Sequence, residues 1–397
     1  MARSETTTPT WDESWVPSYG PAVTEVRSAQ PAVPLVMQPV PAELWDTFAS
    51  NFDGICQEQT YAFTSRRWPS VNHETYIFRH GEQVVGGVLV MVPRMPLGMT
   101  PIAVVNWGPV FKDAQMPERA AAYRAMLDLL VGEYANKRRM LITLQPRAIG
   151  DGDDFQRQSL IAHGFVTGSE LPYPNRYIVR IEDTDATQRK SLHQKWRYHL
   201  SKSEKEGLVF EHAGADTMDR FAALYEAMSD RKNFPDYSAY ATLPHLLTMS
   251  QDNLRPELFF IRQGEDTVAG AAIFKAGDTA VYLYGATNDR ALPLRAGYFM
   301  HWHIMRWLKQ HSRAQWYDLG GSDGFQGLHQ FKKGMVGDTG VIAQLPPRYN
   351  YAAGRLPYLR GMGIFAIRDS AMAAKRLILS PWDKRAKADL PRGFTGQ

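Results

Sequence analysis

The chain of 397 residues has a single cysteine, Cys56. One thiol excludes an intramolecular disulfide framework and a cysteine-rich zinc site, and its expected role is buried packing. Long apolar runs are also missing. No stretch approaches the roughly 18 uninterrupted apolar residues of a membrane span. The opening MARSETTTPTWDESWVPSYG lacks an apolar core of signal-peptide length. A cytoplasmic location is therefore expected. Charge of one sign is scarce too: 45 Lys and Arg face 41 Asp and Glu, so the net charge is only +4, which permits local basic patches without demanding a nucleic-acid partner. The chain contains no HExxH, P-loop or G-x-S-x-G pattern. His301 and His303 are two apart, so on a helix they face different directions, and one of them is expected in the core. The DGDD run at 151–154 lacks the spacing and terminal Glu of a calcium loop. No metal and no bound cofactor are expected.

What is present is core-forming material, 44% apolar and 12% aromatic. Residues 1 to 34 are rich in Thr, Ser and Pro and read as a mobile lead-in, and a first short helix is expected in PAELWDTFASNF from Pro41. The most informative feature is an internal repeat. FRHGEQVVGGVLV (78–90) resembles IRQGEDTVAGAAIF (261–274) at a constant spacing of 183 residues. Arg79, Gly81, Glu82, Val85 and Gly87 match Arg262, Gly264, Glu265, Val268 and Gly270. Each copy predicts a hairpin with a glycine at its turn. Each is followed by the same succession: more strand, a helix, a short apolar strand (MLITLQP, QWYDLGG), then a helix-to-strand segment (SLIAHGFV, GLHQFKKGM). The pattern predicts an α/β (α+β) protein of two like domains with mixed sheets flanked by helices, at 35–182 and 183–350.

Between the copies, DATQRKSLHQKWRYHLSKSEKEG (185–207) predicts one helix ending at Gly207. Arg189, Lys190, Lys195, Arg197, Lys202 and Lys205 make it either a solvated helix or a rail for a phosphate-bearing ligand. MSDRKNFPDYSAY (228–240) predicts a helix end running into an aromatic loop. The segment 351–397 is basic, with Arg355, Arg360, Arg368, Lys375, Arg376, Lys384, Arg385, Lys387 and Arg392. It fits a solvated tail, RNA or peripheral contact with an anionic membrane surface.

WRYHLSKSEKEGL, MSDRKNF, YDLGG and GLHQFKKGMVG, within the duplicated layout, resemble the Fem-type (FemABX) peptidyltransferases, which are tandem GNAT-like proteins. The resemblance spans roughly residues 40 to 350 and is most specific in the second domain. It implies transfer of an amino acid from aminoacyl-tRNA to an amine or hydroxyl of a small-molecule or cell-envelope precursor. Some relatives use other acceptors or take acyl-CoA as donor. The long coiled-coil arm of several members is absent or reduced here to the 187–206 segment.

An acyl-CoA site needs backbone N–H groups cradling a pyrophosphate at a helix N-terminus. RALPLRAGYFMHW offers Arg290, Arg295 and Gly297, but Pro293 removes one donor; FKDAQMPERAAAY in the first domain has no glycine. Aminoacyl-tRNA is therefore the expected donor. An acyl-CoA-dependent N-acyltransferase acting on an amino sugar or polysaccharide precursor is the alternative, and a non-catalytic RNA- or precursor-binding protein a third reading. Lys332 is expected to face the reacting centre and stabilise a developing oxyanion, with Phe331 anchoring the backbone and Lys333 as a secondary contact. The competing reading has both lysines reaching water from an ordinary helix. Asp318, at a strand end, is a general base, an anchor for the substrate amine, or a cap for the next turn. Arg231 and Arg295 are expected to bind an anionic acceptor or donor phosphate, and Tyr237 and Tyr240 to line the pocket or pack. Arg197, Lys202 and Arg290 are the expected tRNA or phosphate contacts.

Overall fold

The structure, a computed structural model, describes residues 34–94, 101–148, 150, 154–171, 173–232, 239–367 and 370. The expected lead-in and most of the basic C-terminal segment lie outside the described residues, as do Tyr237 and the side chain of Arg231.

The first half begins with β1 (Leu35–Val40), α1 (Ala42–Ala49) and α2 (Tyr61–Arg67), a 3-10 turn at Gln57–Gln59 preceding α2. The predicted hairpin follows as β2 (Val71–His80) and β3 (Gln83–Pro93), then β4 (Ile102–Asn106) and β5 (Val110–Phe111). Next come α3 (Arg119–Leu130), continued by a π-helical turn, then β6 (Leu141–Gln145), α4 (Phe155–Ala162) and β7 (Val166–Thr167). β3 is buried almost end to end because both faces are covered. Val88, Val90 and Val92 pack under Tyr123, Met126 and Leu130 of α3. The alternate residues Leu89 and Met91 face Trp45 of α1 and Phe63 of α2. Trp45 is fully buried and its Nε1–H donates to Gln59 O at 2.6 Å, so its truncation would cost about 3–5 kcal/mol. Gly87 is a glycine because a Cβ there would stand 2.6 Å from the Trp45 ring.

The second half repeats the plan. β8 (Asn175–Arg180) leads into α5 (Asp185–Ser191), α6 (Gln194–Ser203) and β9 (Leu208–Ala213). Then come α7 (Met218–Lys232), α8 (Leu243–Leu246) and the hairpin β10 (Glu257–Gln263) and β11 (Asp266–Phe274). β12 (Thr279–Thr287), α9 (Ala296–His311), β13 (Trp316–Asp318), α10 (Gln326–Val336), β14 (Val341–Gln344) and β15 (Tyr349–Tyr351) complete it, with a further helix over 355–367. The repeat holds down to irregularities: the hairpin register slips between Phe78 and Arg79 in one copy and between Ile261 and Arg262 in the other. Gly81 and Gly264 both take positive φ at the turn. The single helix expected over 185–207 is two, broken where Leu192 and His193 are extended.

The sheets exchange strands. The first runs β1-β2-β3-β4-β6-β15-β7, with β5 on β3, and the second β14-β8-β13-β12-β11-β10-β9. β8, before the boundary expected at 182, lies inside the second sheet; β15, at the chain's far end, lies inside the first. A shared apolar cluster joins the halves, from Trp45, Ile55 and Phe63 to Leu246, Met249, Phe274 and Val281. Arg313 adds bonds to Asn51 O (2.8 Å) and Phe52 O (2.7 Å) and an ion pair with Asp53 at 3.0 Å.

Candidate functional site

The two domains differ where the parallel pair opens. β4 and β6 pair over their full five residues. β12 and β13 pair only over Thr279–Val281 and Trp316–Asp318, so β12 runs on through Tyr282–Thr287 with no partner on that side. Among the described residues, the resulting wedge forms only in the second domain. It ends at Leu319-Gly320-Gly321, where Gly320 takes φ +76°. β13 is central, flanked by β8 and β12.

Lys332 lies on the inward stripe of α10 with Met335 and Val336 and is 7% exposed. Its Nζ donates to Leu319 O at 2.6 Å and to Gly321 O at 2.5 Å, engaging two of its three N–H groups. The ammonium points into the wedge-end loop, not into water. Burial, with repulsion from Arg176, pulls its pKa down to about 8 against the attraction of Asp318 and Asp323. Lys333, one residue on, is exposed on the other face of the helix.

Asp318 is 2% exposed with both oxygens engaged. Oδ2 accepts from Arg176 Nη2 (2.6 Å) and Nε (3.1 Å), and Oδ1 accepts from the Gly320 N–H at 2.8 Å. This is the geometry of the turn cap, reinforced by an ion pair. The Arg176 guanidinium also lies 5.1 Å over the Trp107 ring of the first domain. Behind the wedge, His301 is buried, bonds the Tyr317 hydroxyl at 3.1 Å and packs edge-on to Tyr282. Burial and the neighbouring Lys332 hold its pKa at about 3, so the ring stays neutral. His301 is thus the core histidine expected of the HWH pair.

The first domain approaches this region through the turn before α2, where Cys56 Sγ lies 3.9 Å from Trp107 O. Glu58 sits in the 3-10 turn before α2 and is partly buried. The turn is clamped by Gln59, whose side chain bonds Leu89 N (2.8 Å), Leu89 O (3.2 Å) and Asn106 O (2.7 Å). Burial pushes Glu58 up to about 7, although a hydrogen bond from Gln57 and the charges of Arg348, Arg176 and Arg67 pull the other way. Glu58 in turn helps raise Tyr284 of β12 to about 12, burial being the larger cause. Cys56 is buried beside this turn and its thiol is pushed up to about 12 by burial, which makes it inert packing.

The other expected residues scatter. Arg295 is in the left-handed conformation at the start of α9, its Nε bonding His199 Nδ1 at 3.2 Å. Arg290 pairs with Asp266 and Gln263 at the β10–β11 turn. Arg197 donates to Lys190 O (2.8 Å) and Leu192 O, tying α6 to the end of α5. Lys202 lies 5.7 Å over the Tyr198 ring. Tyr240 stacks on Tyr225 at 3.8 Å and meets Tyr284 edge-on, on the far face of the sheet from α9. Arg231 falls in the last turn of α7.

A cavity of about 350 Å³ opens between α6, the start of α9 and α10, lined by His193, Lys195, His199 and Lys333 with Trp196, Tyr298 and Phe331. At the start of α9, the N–H groups of Leu294, Arg295, Ala296 and Tyr298 are already bonded to carbonyls of residues 290, 292, 291 and 295. The helix N-terminus that would cradle a pyrophosphate thus has few donors to offer. Among the described residues no group of His, Cys, Asp and Glu is placed to hold a metal ion, and no helix is long and apolar enough to cross a membrane.

Residues 186–333 match the family model described as an acetyltransferase (GNAT) domain. No curated protein matches the sequence. Among solved structures, that of FemX aligns with a TM-score of 0.65 at 16% identity, covering 84% of this chain and 99% of that one. The C-terminal domain of a putative lysylphosphatidylglycerol synthetase from Agrobacterium fabrum aligns at 0.52 with 13% identity, covering 81% of this chain and 94% of that one. A conserved protein of unknown function from Bacteroides thetaiotaomicron aligns at 0.53 with 11% identity, covering 79% and 98%. The chain therefore has the tandem GNAT-like fold of the Fem type, as the motifs implied. Its second half is a domain of the acyltransferase kind.

Proposed function

We propose that the protein transfers an aminoacyl group from aminoacyl-tRNA to an amine or hydroxyl of a small-molecule or cell-envelope precursor, at the open end of the β12–β13 wedge. The observation that carries this reading is the wedge itself, formed among the described residues in the second domain only and closed by a buried ammonium. A carbonyl bound there would lie near Lys332, whose third N–H is the donor to the oxyanion that develops as the tetrahedral intermediate forms. Asp318 keeps Arg176 and the Gly320 turn in register, which fixes the loop whose carbonyls hold that ammonium.

Two features support a nucleic-acid donor over acyl-CoA. The N–H groups at the start of α9 are spent on local carbonyls, and Pro293 has none. The cavity between α6 and α10 interleaves cations with aromatic rings, which suits the stacked bases and phosphates of a single-stranded 3′ end. Lys333 and Lys195 serve there, with Arg295 and Lys202 flanking. The acceptor comes from the first-domain side, where the Arg176 guanidinium lies over the Trp107 ring.

The test uses bulk tRNA charged with labelled amino acids and a panel of amine and hydroxyl acceptors. Acceptor-dependent loss of label from tRNA is expected. A parallel thermal-shift titration with CoA is expected to be flat. Stabilisation by micromolar CoA would move the donor assignment to acyl-CoA, since a ligand at 100-fold its Kd adds about 2.7 kcal/mol. No transfer from either donor would leave a binding protein on a transferase fold.

A further inference from the structure

The face of the first sheet opposite α3 is incompletely filled. Along β4, Ala103 and Val105 face α3, and the alternate residues Ile102, Val104 and Asn106 face the other way. There they line a cavity of about 450 Å³ with Met91 of β3 and with Trp68, just past α2. The helix over 355–367 closes another side of it through Ile364, Phe365 and Ile367. Two polar residues share the lining, Arg348 and Asn106. Asn106 is 7% exposed, and its Oδ1 has no hydrogen-bond partner among the described residues. A mostly apolar cavity with a few polar groups suits an amphipathic ligand, and an unsatisfied buried amide oxygen marks where that ligand's polar end is needed.

The same helix is apolar on its outer side as well. Leu356, Leu359 and Ile367 are 58%, 66% and 69% exposed. Spaced i, i+3 and i+11, they fall on one stripe of the helix, with Gly363 between them. Arg355 and Arg360, both exposed, border that stripe on its two sides. The helix is seated on β6 by its opposite face, where a Cβ on Gly361 would stand 2.4 Å from Leu141 Cβ, so the leucines are left outward. Single exposed apolar residues are ordinary, but a stripe of three bordered by arginines is the pattern of a helix lying in a bilayer surface. Leucine and isoleucine give RNA bases nothing to stack on, which favours lipid over nucleic acid here. Beyond residue 370 the sequence adds Lys375, Arg376, Lys384, Arg385, Lys387 and Arg392 against only Asp383 and Asp389, so the charge complement is an anionic surface.

We propose that this end of the first domain docks on an anionic lipid bilayer, with the helix over 355–367 lying in its surface and the cavity beneath taking an apolar chain of one of its lipids. Leu356, Leu359 and Ile367 enter the boundary between headgroups and chains, and Arg355 and Arg360 stay among the phosphates. Ile367 belongs to both features, since it lines the cavity and is exposed on the stripe. The cavity therefore opens where the helix meets the bilayer, and a chain passes under the helix without crossing water. Inside, Ile102, Val104 and Met91 receive the chain, and Arg348 and Asn106 serve the headgroup. The helix lies on the bilayer and does not span it, for no helix among the described residues is long and apolar enough to cross a membrane. Docking consumes no acyl donor, so it holds whether or not the transfer reading does. It would set a lipid beside the wedge, because Asn106 is followed by Trp107, whose ring lies under the Arg176 that bonds Asp318.

The experiment is co-sedimentation of the full chain with vesicles of phosphatidylcholine containing one third phosphatidic acid, and with vesicles of phosphatidylcholine alone. Phosphatidic acid has no amine or alcohol in its headgroup, so docking is read apart from any acyl transfer. Binding to the anionic vesicles is expected, weakened but not abolished at about 0.5 M salt, because the apolar contact is not screened. Leu356→Ser, Leu359→Ser and Ile367→Ser together are expected to weaken it at least ~10-fold. All three side chains are already in solvent, so the urea midpoint of this variant is expected to match wild type. Arg355→Gln with Arg360→Gln is expected to weaken binding and to remove part of its salt dependence. Bromine on the lipid chains is expected to quench tryptophan emission more in wild type than in Trp68→Phe, whose missing ring lines the cavity. No binding to the anionic vesicles, or serine-variant binding within twofold of wild type, overturns the docking. Equal quenching in wild type and Trp68→Phe overturns the chain site. Arginine variants that lose affinity for bulk tRNA and none for vesicles would give this face to RNA and overturn the proposal.

Discussion

A carboxylate held at about 7 makes a claim about stability, and Glu58→Gln isolates it. The ordinary glutamate value is 4.5, and the folded protein raises it to about 7. Between those values the folded chain keeps a proton that the unfolded chain has released, so stability falls as pH rises through the window. At about 1.4 kcal/mol per pH unit the ceiling is ~3 kcal/mol. Glu58 is only partly buried, so solvent screening reduces this to about 1–2 kcal/mol. Glutamine has nearly the same shape and cannot ionise. The variant should therefore be more stable than wild type at pH 8, by about 2–3 °C in Tm for a domain pair of this size, and indistinguishable from it near pH 4.5. Lys332 does not confuse the scan: its lowered value makes stability rise with pH only from about 8 toward its ordinary 10.5. Differential scanning fluorimetry of both proteins in matched buffers from pH 4.5 to 8 is the assay. A Glu58→Gln protein no more stable than wild type at pH 8 would show that the carboxylate is not held out of water.

Other substitutions probe the rest of the site. Lys332→Met is expected to lower kcat/KM at least ~100-fold, and a Lys332→Ala enzyme within twofold of wild type would end its oxyanion role. Lys333→Met should leave the chemical step alone while reducing the salt dependence of tRNA binding, read from filter binding between 50 and ~200 mM salt. The pH profile of kcat should show a basic limb near 8 as the Lys332 ammonium titrates, and Lys332→Arg should move that limb upward if any activity survives. Gly337→Ala should cost about 2–4 kcal/mol in urea unfolding, because Gly337 takes φ +61° and a Cβ there would stand 2.2 Å from Ser191 O.

What could be read from the sequence is what repeats. Glycines at the turn of each hairpin and apolar runs in the same succession are local signals, and the structure keeps them down to the shared slip at Phe78 and Ile261. Lys332 was legible as inward-facing once GLHQFKKGM was seen as a helix, since it is spaced with Met335 and Val336. The break at Leu192–His193 was not, because its cause lies elsewhere: His193 N–H bonds Gly334 O, a contact made by packing α6 against α10. Glu58 was invisible for a related reason. In CQEQT it is one acid among polar neighbours, and what makes it unusual is burial plus arginines from positions 67, 176 and 348, which only the fold assembles. Asp318 and Lys332 were both named, yet sequence gave no hint that Arg176 occupies the first or that backbone carbonyls hold the second.

Arg176 reaches the end of β13 through the strand exchange, and that exchange has a consequence for any attempt to separate the halves. β8 lies between β14 and β13, so the second sheet is interrupted without it. A fragment of residues 183–350 would lack β8, leave β13 and β14 without their shared neighbour, and expose the backbone groups that pair with residues 175–180. It should aggregate or unfold without a cooperative transition. Extending the fragment to begin at residue 172 restores β8 and should recover a cooperative transition, though a weaker one than the whole chain's, because Leu246, Met249, Phe274 and Val281 would still lose the cover of Trp45 and Phe63. Urea titrations followed by tryptophan fluorescence distinguish the two fragments. Cooperative unfolding of 183–350 alone would mean that β8 is an ornament on the second sheet and not one of its structural members, and the argument that the two domains form their cleft by trading strands would fail with it.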